Sequence, residues 1–325
     1  LKIAIDAMGG DHAPREIVRG AIRAVNELDC EVVLVGDASA IQKYLPSNYP
    51  KNKISIVHAP QNISMDEDPA MAIRKKKDCS INVAVGLVKA GQADAFLSAG
   101  NTGAGMAGAL LGLGRIEGIE RPAIATVFPT LKGKVVLLDM GANVDCKPHY
   151  LAQFALMGSI YAEKALGIQK PRVSLLSIGE EEEKGNTLTF ETTPLLKKLP
   201  INFIGNIEGR QILFDATDVV VCDGFVGNVV LKLSQGIAKY FMTLFKNEIK
   251  KSLLGKIGVP FMLPVFRSIQ KRTDYSEYGA APLLGVQGIA MIAHGRSDAK
   301  AIKNAVKTTI AYARSEVVSE IGKSL

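Results

Sequence analysis

Six apolar runs of strand length in this chain stop at a turn carrying glycine with Asn, Asp or a charged residue. The first turn holds Asp6, Gly9, Gly10 and Asp11, with His12 next. The second is Gly100-Asn101-Thr102-Gly103-Ala104-Gly105, and the third holds Asp139, Gly141 and Asn143. The fourth runs Gly179-Glu180 to Lys184-Gly185, the fifth holds Gly205, Asn206, Glu208 and Gly209, and the sixth holds Asp223, Gly227 and Asn228. Glycine lets a main chain approach a ligand closely, and N–H groups at a following helix start favour an anion. Asparagine and lysine add donors for an oxyanion. The chemistry such turns support is binding of an anionic substrate and stabilisation of developing negative charge.

Each turn also has a plainer reading. The Gly100 turn serves either tight helix–strand packing or a phosphate at the helix start; Asn101 and Thr102 favour the ligand. It is neither GxGxxG nor a Walker A loop. Glu181–Glu183 read as a solvated loop, and Lys184 as a surface lysine or as a cation held near Glu180 or Glu181 for a phosphate. Asp223 and Asn228 include either a helix N-cap or an oxyanion ligand. His12 is an acid/base candidate or an ordinary loop histidine. No Gly-x-Ser-x-Gly elbow occurs, and Ser159 lies within a helical stretch, so a covalent mechanism has no support. A phosphate dianion can itself be the nucleophile, leaving the protein to position it.

The elements that must carry these turns alternate. Strands are expected at Lys2–Asp6, Glu31–Gly36, Ile54–His58, Ala95–Ser98, Ile124–Val127, Lys134–Leu138, Arg172–Ser177, Asn202–Ile204 and Val219–Cys222. Helices are expected at Pro14–Leu28, Cys79–Ala90, Thr102–Leu113, Leu151–Leu166, Thr187–Lys198, Gly227–Lys251, Gly285–Ala293 and Asp298–Ile321. This alternation predicts a three-layer α/β/α sandwich with a mostly parallel sheet, whose strand ends converge on one cleft. No linker divides the chain, so residues 1–325 read as one catalytic domain. Residues 238–272 read as a protruding basic hairpin, broken by prolines and glycines between Leu253 and Pro264.

The composition narrows the function. The net charge is +7, and the segment from Ala238 to Arg272 holds eight bases against Glu248 alone, so the rest of the chain is neutral. Such a patch faces something acidic. With no Trp and 6% aromatics, stacking-based nucleic-acid binding is not expected. Cys30, Cys79, Cys146 and Cys222 form no CxxC and read as reduced thiols, and the four histidines form no zinc-type pair. The chain enters an apolar run at Lys2, without a signal-peptide pattern. The uncharged stretch from Ala95 to Leu113 reaches membrane-spanning length, but its glycines and polar end read as strand, loop and buried helix.

Eight motifs in order resemble the PlsX family, the bacterial phosphate acyltransferases of phospholipid synthesis. They are Asp6-Ala-Met-Gly-Gly-Asp11-His-Ala-Pro14, Gly100-Asn-Thr-Gly-Ala104, Arg121-Pro-Ala-Ile124 and Asp139-x-Gly-Ala-Asn143. They continue with Ser177-Ile-Gly-Glu-Glu181-x-x-Lys184-Gly, Gly205-Asn-x-Glu-Gly209, Asp223-Gly-Phe-x-Gly-Asn228 and Asp274-Tyr-x-x-Tyr278-Gly. The sequence departs from the pattern at Gln211, where an acid is expected nearby, and at Ser234-Gln235-Gly236. The resemblance implies transfer of a long-chain acyl group from acyl carrier protein to inorganic phosphate. It implies a homodimer and a fold like phosphotransacetylases and isopropylmalate dehydrogenases.

On this reading Lys184, Asn228, Asp223 and His12 are the candidate catalytic side chains. Asp6, Gly9, Gly10, Asp11, Gly100, Asn101, Thr102, Gly103, Asn143, Glu180, Asn206 and Gly227 are the candidate substrate and phosphate ligands. No cofactor or metal enters. Arg74–Lys77 and Lys246–Lys256 are candidate docking surfaces for the acidic carrier. Lys250, Lys251, Leu254, Ile257 and Phe261 suit either a membrane surface or the dimer interface. That places the protein in the cytoplasm against the inner membrane face, near a membrane acyltransferase that takes its product. A short-chain phosphotransacetylase using coenzyme A is the nearest alternative reaction; a nicotinamide dehydrogenase lacks its fingerprint, and a non-catalytic membrane scaffold leaves the turns unexplained.

Overall fold

The computed structural model describes residues 1–252, 258–259, 261–266, 268–269, 277 and 279–325. Strand and helix alternate as expected, and the strands divide into two mostly parallel sheets. The first has the order β3-β2-β1-β4-β12-β11-β5, from Ile54–His58, Glu31–Gly36, Lys2–Asp6, Ala95–Ser98, Ile289–Ala293, Ala280–Leu284 and Ala123–Ile124. The second has the order β6-β7-β10-β8-β9, from Thr126–Pro129, Lys134–Leu138, Val219–Val221, Arg172–Ser177 and Asn202–Glu208. The pairs β11·β12, β11·β5 and β6·β7 are antiparallel. Only Ala125 separates β5 from β6, where the chain passes from one sheet to the other.

The apolar runs form strands because they are buried on both faces. Ile3, Ala4 and Ile5 are wholly inaccessible, or nearly so, as are Val136, Leu137 and Leu138. Each of two apolar clusters draws residues from both sheets, one through Ile5 and Leu138, the other through Phe96 and Leu137. Helix α1 (Arg15–Glu27) buries Ile17, Ala21 and Ala24 on its inner face. The Ala95–Leu113 stretch is strand β4 followed by a helix, Thr102–Leu113, with Ala104, Gly105, Gly108 and Ala109 buried. Among the described residues no helix is long and apolar enough to cross a membrane. The four cysteines are unbridged.

Three expectations change. Gly285–Ala293 is a glycine turn followed by strand β12, which pairs with β4 and β11. Its run Ala290–Ala293 is buried on both faces, and such a run carries no periodicity to separate strand from helix. The final helix divides at Arg314–Glu316, where Glu316 has a positive φ of 56°. The long helix starts at Gly224, not Gly227, and runs to Lys251. Of its 28 residues, Gly224 and Gly227 alone are buried. At 1.5 Å per residue it extends about 40 Å.

Candidate functional site

In the seven-stranded sheet the turns after β1, β4 and β12 are bound to one another. Asp6 is buried and accepts the Ser98 Oγ–H at 2.7 Å and the Met8 N–H at 3.1 Å. Burial pushes its carboxyl above the usual range, against the pull of hydrogen bonds from Ser80, Ser98, Met8 and Gly9. A Cβ on Gly9 would lie 2.4 Å from Asp6 Oδ2 and 2.7 Å from Gly100 N, so the two turns touch through glycine. The Asp11 N–H donates to the Gly295 carbonyl at 2.8 Å, joining the turn after β12.

The Gly100 turn is occupied internally. The Gly100 N–H donates to Ser98 Oγ at 3.0 Å. Asn101 Oδ1 caps the helix by accepting the Ala104 N–H at 3.1 Å. Asn101 Nδ2 reaches the carbonyls of Ser64, Met65 and Glu67 at 3.4, 3.2 and 3.2 Å. Gly103 packs on Pro69, and Thr102 is exposed on the first turn. His12 is exposed in the turn before α1. The histidine half-buried at this end of the sheet is His294, whose Nδ1 accepts the Arg296 N–H at 3.1 Å. Sequence reasoning passed over His294 and Arg296 because it made Gly285–Ala293 a helix. Read as a strand, that run ends in His294-Gly295-Arg296, a further turn of the same kind.

In the five-stranded sheet Asp139 directly follows β7 and is fully buried. It accepts the N–H groups of Ile124, Ala142 and Asn143 at 3.0, 3.1 and 2.6 Å, and Asn143 Nδ2 at 2.9 Å. Burial raises its carboxyl, and these bonds oppose the rise. Asn143 Nδ2 also donates to the Pro122 carbonyl at 2.8 Å, so this candidate ligand positions the turn. Asp223 takes the N-cap role, accepting the Val226 N–H at 2.9 Å. A Cβ on Gly227 would sit 1.9 Å from the Asp139 carbonyl oxygen, so the start of the long helix rests directly on the end of β7. One position on, Asn228 is exposed, with its amide beside Gly141.

The loop after β8 is tied to its neighbour strand. Ser177 Oγ–H donates to the Lys184 carbonyl at 2.9 Å, and Asn206 Nδ2 to the Glu181 carbonyl at 3.0 Å. Among the described residues Asn206 Oδ1 is buried without a partner. Glu180 accepts Gln211 Nε2 at 2.7 Å, and Gln211 Oε1 accepts the Glu208 N–H at 3.0 Å. The glutamine that departs from the family pattern therefore braces this loop. Glu182 pairs with Lys197. Lys184 is exposed and forms no ion pair with Glu180 or Glu181 among the described residues. Strands β7, β10 and β8 are neighbours, so Asn228 and Lys184 follow adjacent strand ends on chain segments braced by internal bonds.

A family described as "Fatty acid synthesis protein" matches residues 1–320. The chain belongs to this family. It is 55% identical over 326 residues to the phosphate acyltransferase of Desulfitobacterium hafniense strain Y51, covering all of this chain and 97% of that one. It is 53% identical over 322 residues to the phosphate acyltransferase of Moorella thermoacetica, covering 99% and 95%. A phosphotransacetylase structure from Streptococcus pyogenes aligns with TM-score 0.61 at 17% identity, covering 97% of this chain and 94% of that one. That likeness shows the fold: helices interleaved with mostly parallel sheets, as in phosphotransacetylases.

Around this site the exposed apolar residues concentrate on the long helix. Phe225, Val229, Leu233, Ile237, Phe241 and Phe245 repeat every four residues along it, all exposed. Lys250 and Lys251 are exposed at its end, with Lys251 paired to Glu248 at 2.7 Å. Phe261 is 81% exposed, and Met262, Leu263 and Val265 are exposed with it. Leu254 and Ile257 lie outside the described residues.

Proposed function

We propose that this chain is a phosphate acyltransferase that converts long-chain acyl-(acyl carrier protein) and inorganic phosphate to acyl phosphate and free carrier protein. The observation that carries this reading is family membership over residues 1–320, with full-length relatives of that name. A phosphate oxygen attacks the thioester carbon. The carbonyl oxygen takes up negative charge, the C–S bond breaks, and the carrier thiolate leaves and is protonated by solvent. Asn228 Nδ2–H and the Lys184 ammonium supply donors for the phosphate and the oxyanion. Asp139, Asn143, Asp223 and Gln211 hold the backbone on which they stand. Exposed donors on a braced backbone suit a reaction whose barrier falls mainly through positioning and charge stabilisation.

The reaction is tested by release of free thiol from palmitoyl-(acyl carrier protein) with and without inorganic phosphate, trapping product with hydroxylamine. Phosphate-dependent release with a trapped acyl group is expected. Phosphate-dependent activity confined to short-chain coenzyme A thioesters would replace this reading with the phosphotransacetylase one.

Residues 1–325 act as one catalytic unit, a reading supported by apolar clusters that cross both sheets. A second copy covers the apolar stripe of the long helix, giving a homodimer. A row of exposed aromatic and aliphatic side chains on a helix that leaves its own core supports this. The exposed Phe261–Val265 segment with Lys250 and Lys251 rests on the inner face of the membrane, which delivers the lipid-like product to a membrane acyltransferase. The acidic carrier docks on Arg74–Lys77 or Lys246–Lys256.

A further inference from the structure

Strand β9 carries one residue more than β8 where the two lie side by side. Val173 of β8 pairs with Phe203, and Leu175 with Asn206, so the extra residue falls at Ile204–Gly205. Gly205 has a positive φ of 104°. A Cβ there would meet nothing within 4 Å. The position therefore asks for glycine because of its backbone angle and not because of a close approach. A bulge of this kind re-aims the side chain that follows it.

Asn206 is that side chain, and it reaches from its own strand to the loop after β8. Its Nδ2 donates to the Glu181 carbonyl at 3.0 Å and lies 3.5 Å from the Lys184 carbonyl. The Glu181 carbonyl also accepts the Lys184 N–H at 3.1 Å, and the Lys184 carbonyl accepts the Ser177 Oγ–H at 2.9 Å. The Lys184 stem packs on Gly179, where a Cβ would lie 2.8 Å from its Cγ and 3.0 Å from its Cβ. Main chain and stem are thus held while the residue's outer part stays exposed. Asn206 serves this turn through its donors alone, because among the described residues its Oδ1 is buried and unpaired. An unpaired interior acceptor costs stability, so the gain from this amide lies at its other end.

We propose that Asn206, aimed by the bulge at Gly205, is a positioning residue for the Lys184 ammonium and not a ligand of the substrate. This role rests on the acyl-transfer reading, in which that ammonium serves the phosphate and the oxyanion. Tying the Glu181–Lys184 turn to β9 sets where the lysine stem leaves the main chain. A misplacement of about 1 Å costs up to ~10² in rate, so the tie matters without touching either reactant.

The test is a double-mutant cycle on the full-length protein: wild type, Asn206→Ala, Lys184→Ala and the double variant, with Tm measured for each. Asn206→Ala should lower kcat roughly tenfold and leave KM for the acyl-carrier substrate within about twofold. In the Lys184→Ala background the same substitution should change kcat by less than about twofold, because no ammonium is left to position. Asn206→Asp keeps the shape and, ionised, has no donor, so it should repeat the kcat loss if Asn206→Ala is unstable. Amide exchange at Lys184 needs no turnover. Its N–H, bonded to the Glu181 carbonyl, should exchange roughly 3- to 10-fold faster in Asn206→Ala. Wild-type kcat in both Asn206 variants overturns the proposal and leaves the role of Lys184 standing. An equal kcat loss in both backgrounds overturns it as well, since Asn206 then acts apart from Lys184. Unchanged amide exchange does the same. Wild-type kcat in Lys184→Ala removes the role of that lysine, and the positioning role with it. Faster exchange in a protein that makes no acyl phosphate keeps the tie and removes the reaction.

Discussion

The two sheets end in turns of the same composition and use them differently. At the seven-stranded sheet the Gly100 N–H is bonded to Ser98 and Asn101 holds four internal contacts. At the five-stranded sheet Asp139, Asn143 and Asp223 are likewise occupied, yet Asn228 and Lys184 stay exposed. The difference lies in what covers each asparagine. The segment at Ser64–Glu67 lies over Asn101 and takes its amide hydrogens. Among the described residues nothing comparable lies over Asn228, which stands beside Gly141 on the second turn of its helix. A glycine–asparagine turn is thus a scaffold part when a neighbouring segment closes on it, and it leaves the asparagine amide exposed when none does.

The comparison breaks most easily where the open face rests on its support. Gly227→Ala forces a methyl group against the Asp139 carbonyl oxygen, 1.9 Å from the ideal position. Backbone must move to relieve it, at a cost of about 3 kcal/mol, and the helix start carrying Asn228 moves too. Loss of nearly all turnover together with a lowered Tm is expected. A variant with wild-type Tm and turnover would show that the contact between helix and strand end has slack.

Next in size are the exposed donors. Lys184→Ala and Asn228→Ala should each reduce turnover by ~10²–10³, as removal of an oxyanion donor does. Neither side chain bonds the fold among the described residues, so Tm should hold. Asn101→Ala should do the reverse: a loss of about 1–2 kcal/mol in stability from the cap and its loop contacts, with turnover falling far less. Equal turnover losses in Asn101→Ala and Asn228→Ala at matched stability would erase the distinction between the sheets.

Strands were legible wherever burial on both faces left a short apolar run closed by a polar glycine turn. Lys2–Asp6, Ala95–Ser98 and Lys134–Leu138 match their expected bounds. Strand β12 was not, because Ile289–Ala293 is short, apolar and rich in alanine and methionine, which favour a helix as readily as a strand. That one exchange hid His294. The roles of Asn101, Asn143 and Asn228 were not separable either. Each follows a glycine turn, and only the distant segments at Ser64–Glu67 and Pro122 reveal which amides are occupied. The long helix was legible, but its exposure was not: of its 28 residues only Gly224 and Gly227 are buried, which depends on tertiary placement and not on period.

The smallest expected effect concerns the two buried carboxylates, one beneath each set of turns. Burial raises Asp6 from its ordinary value of 3.8, more than its hydrogen bonds lower it. The folded protein therefore holds the Asp6 proton more tightly than the unfolded chain does. The stabilising contribution of this group is fully present below the unfolded value and is lost as pH rises through the folded one. Asp6→Asn cannot titrate. Its stability relative to the wild type should shift in the variant's favour as pH rises from about 4 to about 7. Asp139 is raised for the same reason, so Asp139→Asn should shift in the same direction beneath the other sheet. Urea melts of both variants and the wild type across this range measure the slopes. A shift toward the wild type with rising pH in either variant would mean that the carboxylate there is better held ionised than protonated. The donors around it would then outweigh its burial, and that sheet's turns would rest on a fixed negative charge.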